Sequence, residues 1–342
     1  MSRSTAAAFA AVAIAAAGAV QGQDKPVNLR FSYWVPPVHQ LIPSTKEWGE
    51  SLTRASNGSI KVTIYPSNQL GKGPDHYDMA KDGIADFVLT NPGYTPGRFP
   101  VIAAAELPFL TNGAANGSPG FDEWYRKYQN REMKEVYTCL TFTHEPGTWH
   151  TRAKKVELPE DVKGLKVRTG NATSSRFVSM LGGSPVAVEI TEARETIARG
   201  IADGILVPWE AITMFRMTDA LKYHMENPFY VSIFTWNLNR KTYDSMSAAQ
   251  KKVLDDHCTT AWAQKIAAAW AQRDVDAIAK VKAMKDARTI YSINPTQLAA
   301  WRKAAEPLKK EWEDSVTKAG YNATEVYNEL IAALRKHNGL YQ

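Results

Sequence analysis

The side chain with the most specific chemistry in this chain is Arg168, which closes the run Lys163-Gly-Leu-Lys-Val-Arg168. A guanidinium presents five donors in a planar fork that matches the two oxygens of a carboxylate, and an ammonium cannot reproduce that geometry. Position alone leaves a solvent-facing arginine the simpler reading, so its role depends on what surrounds it. In open α/β sheets, ligands sit beyond the carboxyl ends of the strands. There the first half of the chain offers Trp34, His39, Gln69, Asn91 and Tyr94, and the second half offers Arg168 and Trp209. Trp149, Phe234 and Trp236 lie on segments that read as crossings between the halves. A single aromatic residue is more often core than cleft. A set converging on one arginine would instead wall a site for a small carboxylate.

Signatures of catalysis are missing. The chain has no Gly-x-Ser-x-Gly elbow, no His-Glu-x-x-His, no phosphate-binding Gly-x-x-x-x-Gly-Lys-[Ser/Thr] loop and no dinucleotide fingerprint. Gly71-Lys72-Gly73 lacks a third glycine and the strand–helix context. His144-Glu145 and His150 are residue types that serve acid–base or metal chemistry, but seven histidines scattered singly read as ordinary core and surface residues. Asp75, Asp78 and Asp82 read as a solvated helix face rather than a calcium site. The sequence therefore assigns no catalytic residue, no metal and no cofactor.

The elements that would position these side chains alternate between strand and helix. Val27–Trp34 alternates as a strand, 44–55 is helix-compatible, and Asn57-Gly58 turns the chain into a strand over 59–65. A helical stretch over 75–81 precedes the apolar run 83–89, whose continuous apolarity suits a buried parallel strand. The order recurs with a strand over 164–168, a helix over 191–199 and a strand over 200–208. The tetrad Gly-Ile-Ala-Asp stands at 83–86 and again at 200–203, so two similarly built lobes with mainly parallel sheets are expected. Val136–His144 and Tyr230–Leu238 read as the crossing strands. Ser247-Ala-Ala-Gln250 resembles a capping box that opens one helix of nearly forty residues, to about Lys285 and long enough to brace both lobes. Helices over 295–319 and 324–336 finish the chain.

Composition bounds the class. At 342 residues with 44% apolar residues and ten Trp, the chain can bury sizeable cores, in about two domains. Its excess of 41 Lys+Arg over 35 Asp+Glu is spread without a basic block, which argues against nucleic-acid binding and leaves small anions welcome. Arg3 followed by the Ala-dominated run 6–20 reads as a cleaved export signal, assigned to 1–22; Ala19 and Gly22 both suit cleavage. The run is shorter than the roughly 20 residues a membrane span needs, so a soluble, exported, periplasmic protein is expected. Cys139 and Cys258 could form one bridge or remain two separate buried thiols.

Lys163-Gly-Leu-Lys-Val-Arg168 with Asn171, Leu181-Gly-Gly-Ser-Pro185, Glu192 and Gly200-Ile-Ala-Asp-Gly204 resemble the second lobe of TRAP transporter solute-binding proteins, the DctP family. Ser56-Asn-Gly-Ser-Ile-Lys-Val62, Tyr65-Pro-Ser-Asn-Gln-Leu-Gly71 and Gly83-Ile-Ala-Asp86 resemble the first lobe. The resemblance runs over nearly the whole chain after the leader, with the motifs in the expected order. It implies an α/β, two-lobed periplasmic-binding-protein-like fold, with lobe I over 23–146 plus 237–275 and lobe II over 147–236 plus 276–342. It further implies a receptor that closes on a small organic acid and hands it to a membrane permease, as a monomer or a dimer. The family's carboxylate-clamping arginine corresponds to Arg168. Where sialic-acid-binding members have a second arginine this chain has Trp149, and where they have Asn before Pro it has Val207-Pro208. Both differences replace polar partners by apolar wall, which points to a carboxylate with an apolar or aromatic body. The neighbouring expectations are an ABC-type binding protein, a secreted enzyme acting on an organic acid, and a sensor ectodomain.

Overall fold

The computed structural model describes residues 24–286 and 288–341; the export signal expected over 1–22 lies outside them. Within these residues the strands form two sheets. The first runs β2 (Ile60–Tyr65), β1 (Val27–Ser32), β3 (Phe87–Thr90), β10 (Ile233–Asn239), β4 (Val136–Thr143). The second runs β11 (Thr289–Tyr291), β9 (Tyr223–Met225), β5 (Thr148–Thr151), β8 (Gly204–Val207), β6 (Lys166–Arg168), β7 (Ser184–Val186). Five of the nine strand pairings are parallel. The four antiparallel ones all involve β10 or β5, which follow the two crossings between lobes. Each crossing strand therefore enters a parallel set against its direction.

Helices α1 (Leu41–Ala55), α2 (His76–Asp82), α3 (Ala114–Tyr125) and the short α4 (Gln129–Glu132) accompany the first sheet in the chain. The second lobe contributes α5 (Ala172–Met180), α6 (Ile190–Ala198) and α7 (Trp209–Met214). After β10 follow α8 (Arg240–Ser245), α9 (Ala248–His257), α10 (Thr260–Lys282), α11 (Pro295–Lys318) and α12 (Ala323–Lys336).

The repeated tetrad does the same work in both lobes. Gly83 and Gly200 end α2 and α6 in the left-handed region, at φ 76° and 72°, where a side chain is strained. The next residues, Ile84 and Ile201, face solvent, and Ala85 and Ala202 are buried. Asp86 Oδ2 then accepts the Arg30 backbone N–H at 3.0 Å, and Asp203 Oδ2 accepts that of Lys166 at 2.9 Å. Each aspartate thus pins the neighbouring parallel strand, β1 or β6, in register. Because the register is fixed, alternation decides burial. Phe87 and Leu89 join one core cluster and Val88 the other, and Ile205 and Val207 part from Leu206 in the same way.

The single long helix expected over 247–285 is two. Ser247 and Gln250 form the capping box of α9, as their spacing implies. The helix then stops at Cys258, whose φ −102°, ψ 63° is not helical, and Thr259 caps α10 by accepting the Trp262 N–H at 3.4 Å. Cys258 is bonded to Cys139 on β4, which resolves the two alternatives for these thiols in favour of the bridge. With 23 residues, α10 is about 35 Å long. It packs on α1, α3 and β4 of the first lobe and on α7 of the second, so the brace exists in a shorter helix.

The C-terminal helices also link the lobes. On α11, the Trp301 indole donates to Glu157 O at 3.0 Å in the second lobe, and the Trp312 indole to Pro100 O at 2.8 Å in the first. Helix α12 packs on α3, with the Trp124 indole donating to Val326 O at 3.0 Å. This places 323–336 against the first lobe, whereas the sequence reading assigned 276–342 to the second; likewise β10 from Ile233 onward pairs wholly in the first sheet. Helix α3 was not legible because Gly117, Pro119 and Gly120 read as loop. A Cβ at Gly120 would lie 3.0 Å from Leu334 Cα, so glycine there lets the two helix backbones approach.

The bridge closes a loop across 119 positions, for which restricting the unfolded chain is worth about 2–5 kcal/mol. Both sulfurs are shielded, with Cys139 fully buried and Cys258 4% exposed, so substitution tests the bond better than a reductant. A Cys139→Ser/Cys258→Ser double variant should unfold about 5 °C or more below the native chain in calorimetry. An unchanged melting temperature would show that the bridge is energetically idle.

Candidate functional site

Between the lobes lies a small cavity of about 50 Å³, lined by residues of both. Arg168 reaches it from the end of β6. Its residue is 2% exposed, and Nε and Nη2 both donate to Val188 O, at 3.1 and 3.0 Å. That carbonyl fixes the plane of the fork. Among the described residues no carboxylate forms an ion pair with Arg168. A guanidinium so far removed from water, without a counter-charge, favours an anion beside it.

The first lobe supplies one wall. Asn91 caps the short turn Pro92–Tyr94 by accepting the Gly93 N–H at 3.0 Å, which sets Tyr94 over the cavity. Tyr94 and Phe234 flank the Trp34 ring, with centroids 6.0 and 6.3 Å away. Burial raises the Tyr94 phenol above its ordinary value, against the pull of the Arg168 charge. The second lobe supplies Ile190, Val207, Pro208 and Phe215, and α10 supplies Trp270, which stacks obliquely on Phe234 at 5.5 Å. Across the cleft, Asn91 Nδ2 donates to Gly170 O at 3.4 Å and Asn68 Nδ2 to Glu189 Oε2 at 3.4 Å. The lobes are closed on one another.

Two histidines line the cavity without charge. His144 Nδ1 donates to Glu145 O at 2.6 Å, and its Nε2 accepts the Ser232 N–H at 3.0 Å, so both nitrogens are committed to the neutral ring. His39 Nδ1 accepts the Leu41 N–H at 3.2 Å, and the ring meets Trp270 edge-on at 4.8 Å. Burial depresses His144 to about 4 and, with help from His144, His39 to about 3. Glu210, the second residue of α7, is 4% exposed and pushed up to about 7 by burial, which outweighs the Trp270 indole and Arg273. Two polar atoms of the lining, Glu210 Oε1 and Trp34 Nε1, have no hydrogen-bond partner among the described residues. Arg168 is left as the one permanent cation of the wall.

Of the residues expected to converge, Trp34, His39, Asn91, Tyr94, Arg168 and Phe234 line the cavity. Trp149, Trp209, Trp236 and Asn171 do not. Trp149 pairs with Leu206 across β5 and β8, and the pleat sends both away from Val207, so Trp149 packs on Trp301 and Phe229 instead. Trp236 shares a face with Phe234 but sits two residues further along β10, against Phe31 and Trp48 in the first core. Trp209 lies edge-on to His150 inside the second lobe. Asn171 caps α5 and donates to Val231 O at 3.0 Å, fastening α5 to the second crossing. Glu210, Tyr230, Ser232 and Trp270 were missed. The first and last sit on helices that reach the cleft only through tertiary packing. Tyr230 is seated by Gly147, where a Cβ would fall 2.4 Å from its ring.

Buried carboxyl groups make stability depend on pH. Glu106 accepts the Ile233 N–H at 3.4 Å at the start of β10, and burial pushes it up to about 8. Glu210, Asp274 and Glu132 are likewise pushed up to about 7 by burial. Their protons stay bound in the folded state after the unfolded chain has lost them, so their contribution is full below about 4.5 and is lost as pH rises through 7–8. The depressed histidines act oppositely, adding stability as pH rises from about 4 to 6.5. Above 6.5 only the carboxyls remain. The melting temperature should therefore fall between pH 6.5 and 8.5, and Glu106→Gln should flatten that fall by up to about 1.4 kcal/mol per pH unit. A flat profile in the native chain would contradict the burial assigned to these groups.

The model of the DctP family, bacterial extracellular solute-binding protein family 7, matches residues 31–315. A marine-metagenome TRAP solute-binding protein specific for aromatic acid ligands, solved with 3-hydroxybenzoate, is 30% identical. It superposes with a TM-score of 0.85 over 92% of this chain and 99% of that one. A TRAP solute-binding protein of Rhodoferax ferrireducens with copurified benzoate is 26% identical, with a TM-score of 0.85 over 91% of this chain and 98% of that one. The sialic acid-binding periplasmic protein SiaP of Vibrio cholerae is 25% identical over 80% of this chain and 84% of its own. With the two-sheet architecture and the strand-end arginine in place, the chain belongs to the DctP family of TRAP solute-binding proteins.

Proposed function

We propose that this chain is the periplasmic receptor of a TRAP-type transporter and captures a small monocarboxylate with an aromatic or otherwise apolar body. The observation that carries this reading is the buried, unpaired Arg168 guanidinium at the rim of an aromatic-walled cavity. Arg168 clamps the carboxylate, and the ring packs among Trp34, Tyr94, Phe234 and Trp270. Benzoate and 3-hydroxybenzoate in two related structures are acids of this kind. The side chains of Val207 and Pro208 offer no hydrogen bonds to a sugar's hydroxyls, which fits a body poorer in polar groups than sialic acid.

Capture proceeds by closure. A ligand held by Arg168 from one lobe and by Trp34 and Tyr94 from the other stabilises the closed form, because only that form makes both sets of contacts. The closed receptor then delivers its acid to the membrane permease. An export signal over 1–22 would bring the chain to that compartment, and a Cys139–Cys258 bridge suits its oxidising conditions.

Thermal-shift and calorimetric titration test this directly. Benzoate and 3-hydroxybenzoate should raise the melting temperature, by about 2.7 kcal/mol of stability at a hundredfold excess over Kd, and sialic acid should not. Arg168→Ala should weaken binding by about 2–5 kcal/mol, and Arg168→Lys should restore only part of it, since one ammonium cannot span both oxygens. Stabilisation by sialic acid alone, or full affinity in Arg168→Ala, would reject the assignment.

A further inference from the structure

The clamp on the carboxylate leaves one acidic side chain of the cavity unexplained. Glu210 lines the cavity, is 4% exposed, and its Oε1 has no hydrogen-bond partner among the described residues. Its position is not an accident of a loose helix end. The Glu210 backbone N–H donates to Asp274 Oδ1 on α10 at 2.7 Å, which ties the first turn of α7 to the brace between the lobes. The side chain is therefore held at the cavity wall with an acceptor oxygen that nothing in the protein serves. A buried acceptor of this kind is costly unless a donor meets it.

We propose that Glu210 is a second polar subsite, which accepts a hydrogen bond from a hydroxyl or amino group carried on the apolar body of the bound monocarboxylate. This rests on the organic-acid reading above and narrows it. The ligand has a carboxylate for Arg168 and, apart from it, a donor for Glu210. A bare ring leaves Oε1 unserved, and above pH 7, where Glu210 is ionised, a second carboxylate on the ligand meets a like charge. The two ends of the site thus select different chemistry, and Glu210 determines which substituted acid is preferred.

Calorimetric titration of the native protein at pH 8.5 with benzoate, the three hydroxybenzoates, the three aminobenzoates and isophthalate separates the possibilities. At least one hydroxy or amino isomer should bind ten times more tightly than benzoate, and isophthalate ten times more weakly. The class with the tighter isomer identifies the donor. In Glu210→Leu, with folding checked by melting temperature, that preference should shrink to less than threefold. In Glu210→Gln, which keeps a carbonyl acceptor without the acid, the preference should persist while isophthalate gains affinity. Equal binding of benzoate and every substituted isomer by the native protein overturns the subsite, whether or not the variants fold. An undiminished preference in Glu210→Leu does the same. Failure of all these acids to bind would instead reject the aromatic-acid reading on which the subsite depends.

Discussion

A guanidinium that has left water without a counter-charge is the constraint around which the rest of this structure is arranged. Arg168 gives two of its donors to one backbone carbonyl, Val188 O, and that contact orients the fork without neutralising it. The low-dielectric wall of aromatic rings strengthens whatever charge interaction the arginine makes. The cavity is then permissive toward an anion and selective about the rest of the molecule. The histidines preserve this arrangement. His144 and His39 are held neutral by burial and by committed hydrogen bonds, so neither adds a cation that would blur the specificity of the single clamp.

Such a site must be assembled from two bodies and still hold its geometry. The crossings near Gly147 and Tyr230 pair with each other through the Gly147 N–H to Tyr230 O bond of 2.8 Å, beside the cavity. Behind them α10 packs on both lobes, places Trp270 in the wall and caps α7 with Asp274. The bridge from Cys139 to Cys258 anchors the start of that helix to β4, the edge strand of the first sheet. Rigid elements thus carry the clamp, the rings and the acidic oxygen, while hydrogen bonds such as Asn68–Glu189 and Asn91–Gly170 join the lobes across the cleft.

Much of this was legible because it is local or periodic. The Gly-Ile-Ala-Asp tetrads announced a doubled architecture, and they prove to be paired devices: a left-handed helix stop followed by an aspartate that registers the next strand. The capping box at Ser247 marked a helix start that the structure keeps. Arg168, Tyr94, Asn91 and Trp34 were found because strand ends point at the crevice of an α/β sheet. Helix α3 was hidden by its glycines and proline, of which Gly120 is explained by the closeness of α12.

The sequence by itself determined the alternation of strands and helices, the doubled lobes and the arginine at a strand end, since periodicity, turn residues and chain order are written along the backbone. Which aromatic side chains face the ligand was decided by tertiary structure. A one-residue difference in pleat sends Trp149 into the core while Val207 lines the cavity, and two residues of depth separate Phe234 from Trp236. Glu210 and Trp270 join the site only because α7 and α10 pack together, more than fifty residues apart in the chain. Spacing along a strand or helix fixes a local direction. What lies in that direction depends on how distant elements dock.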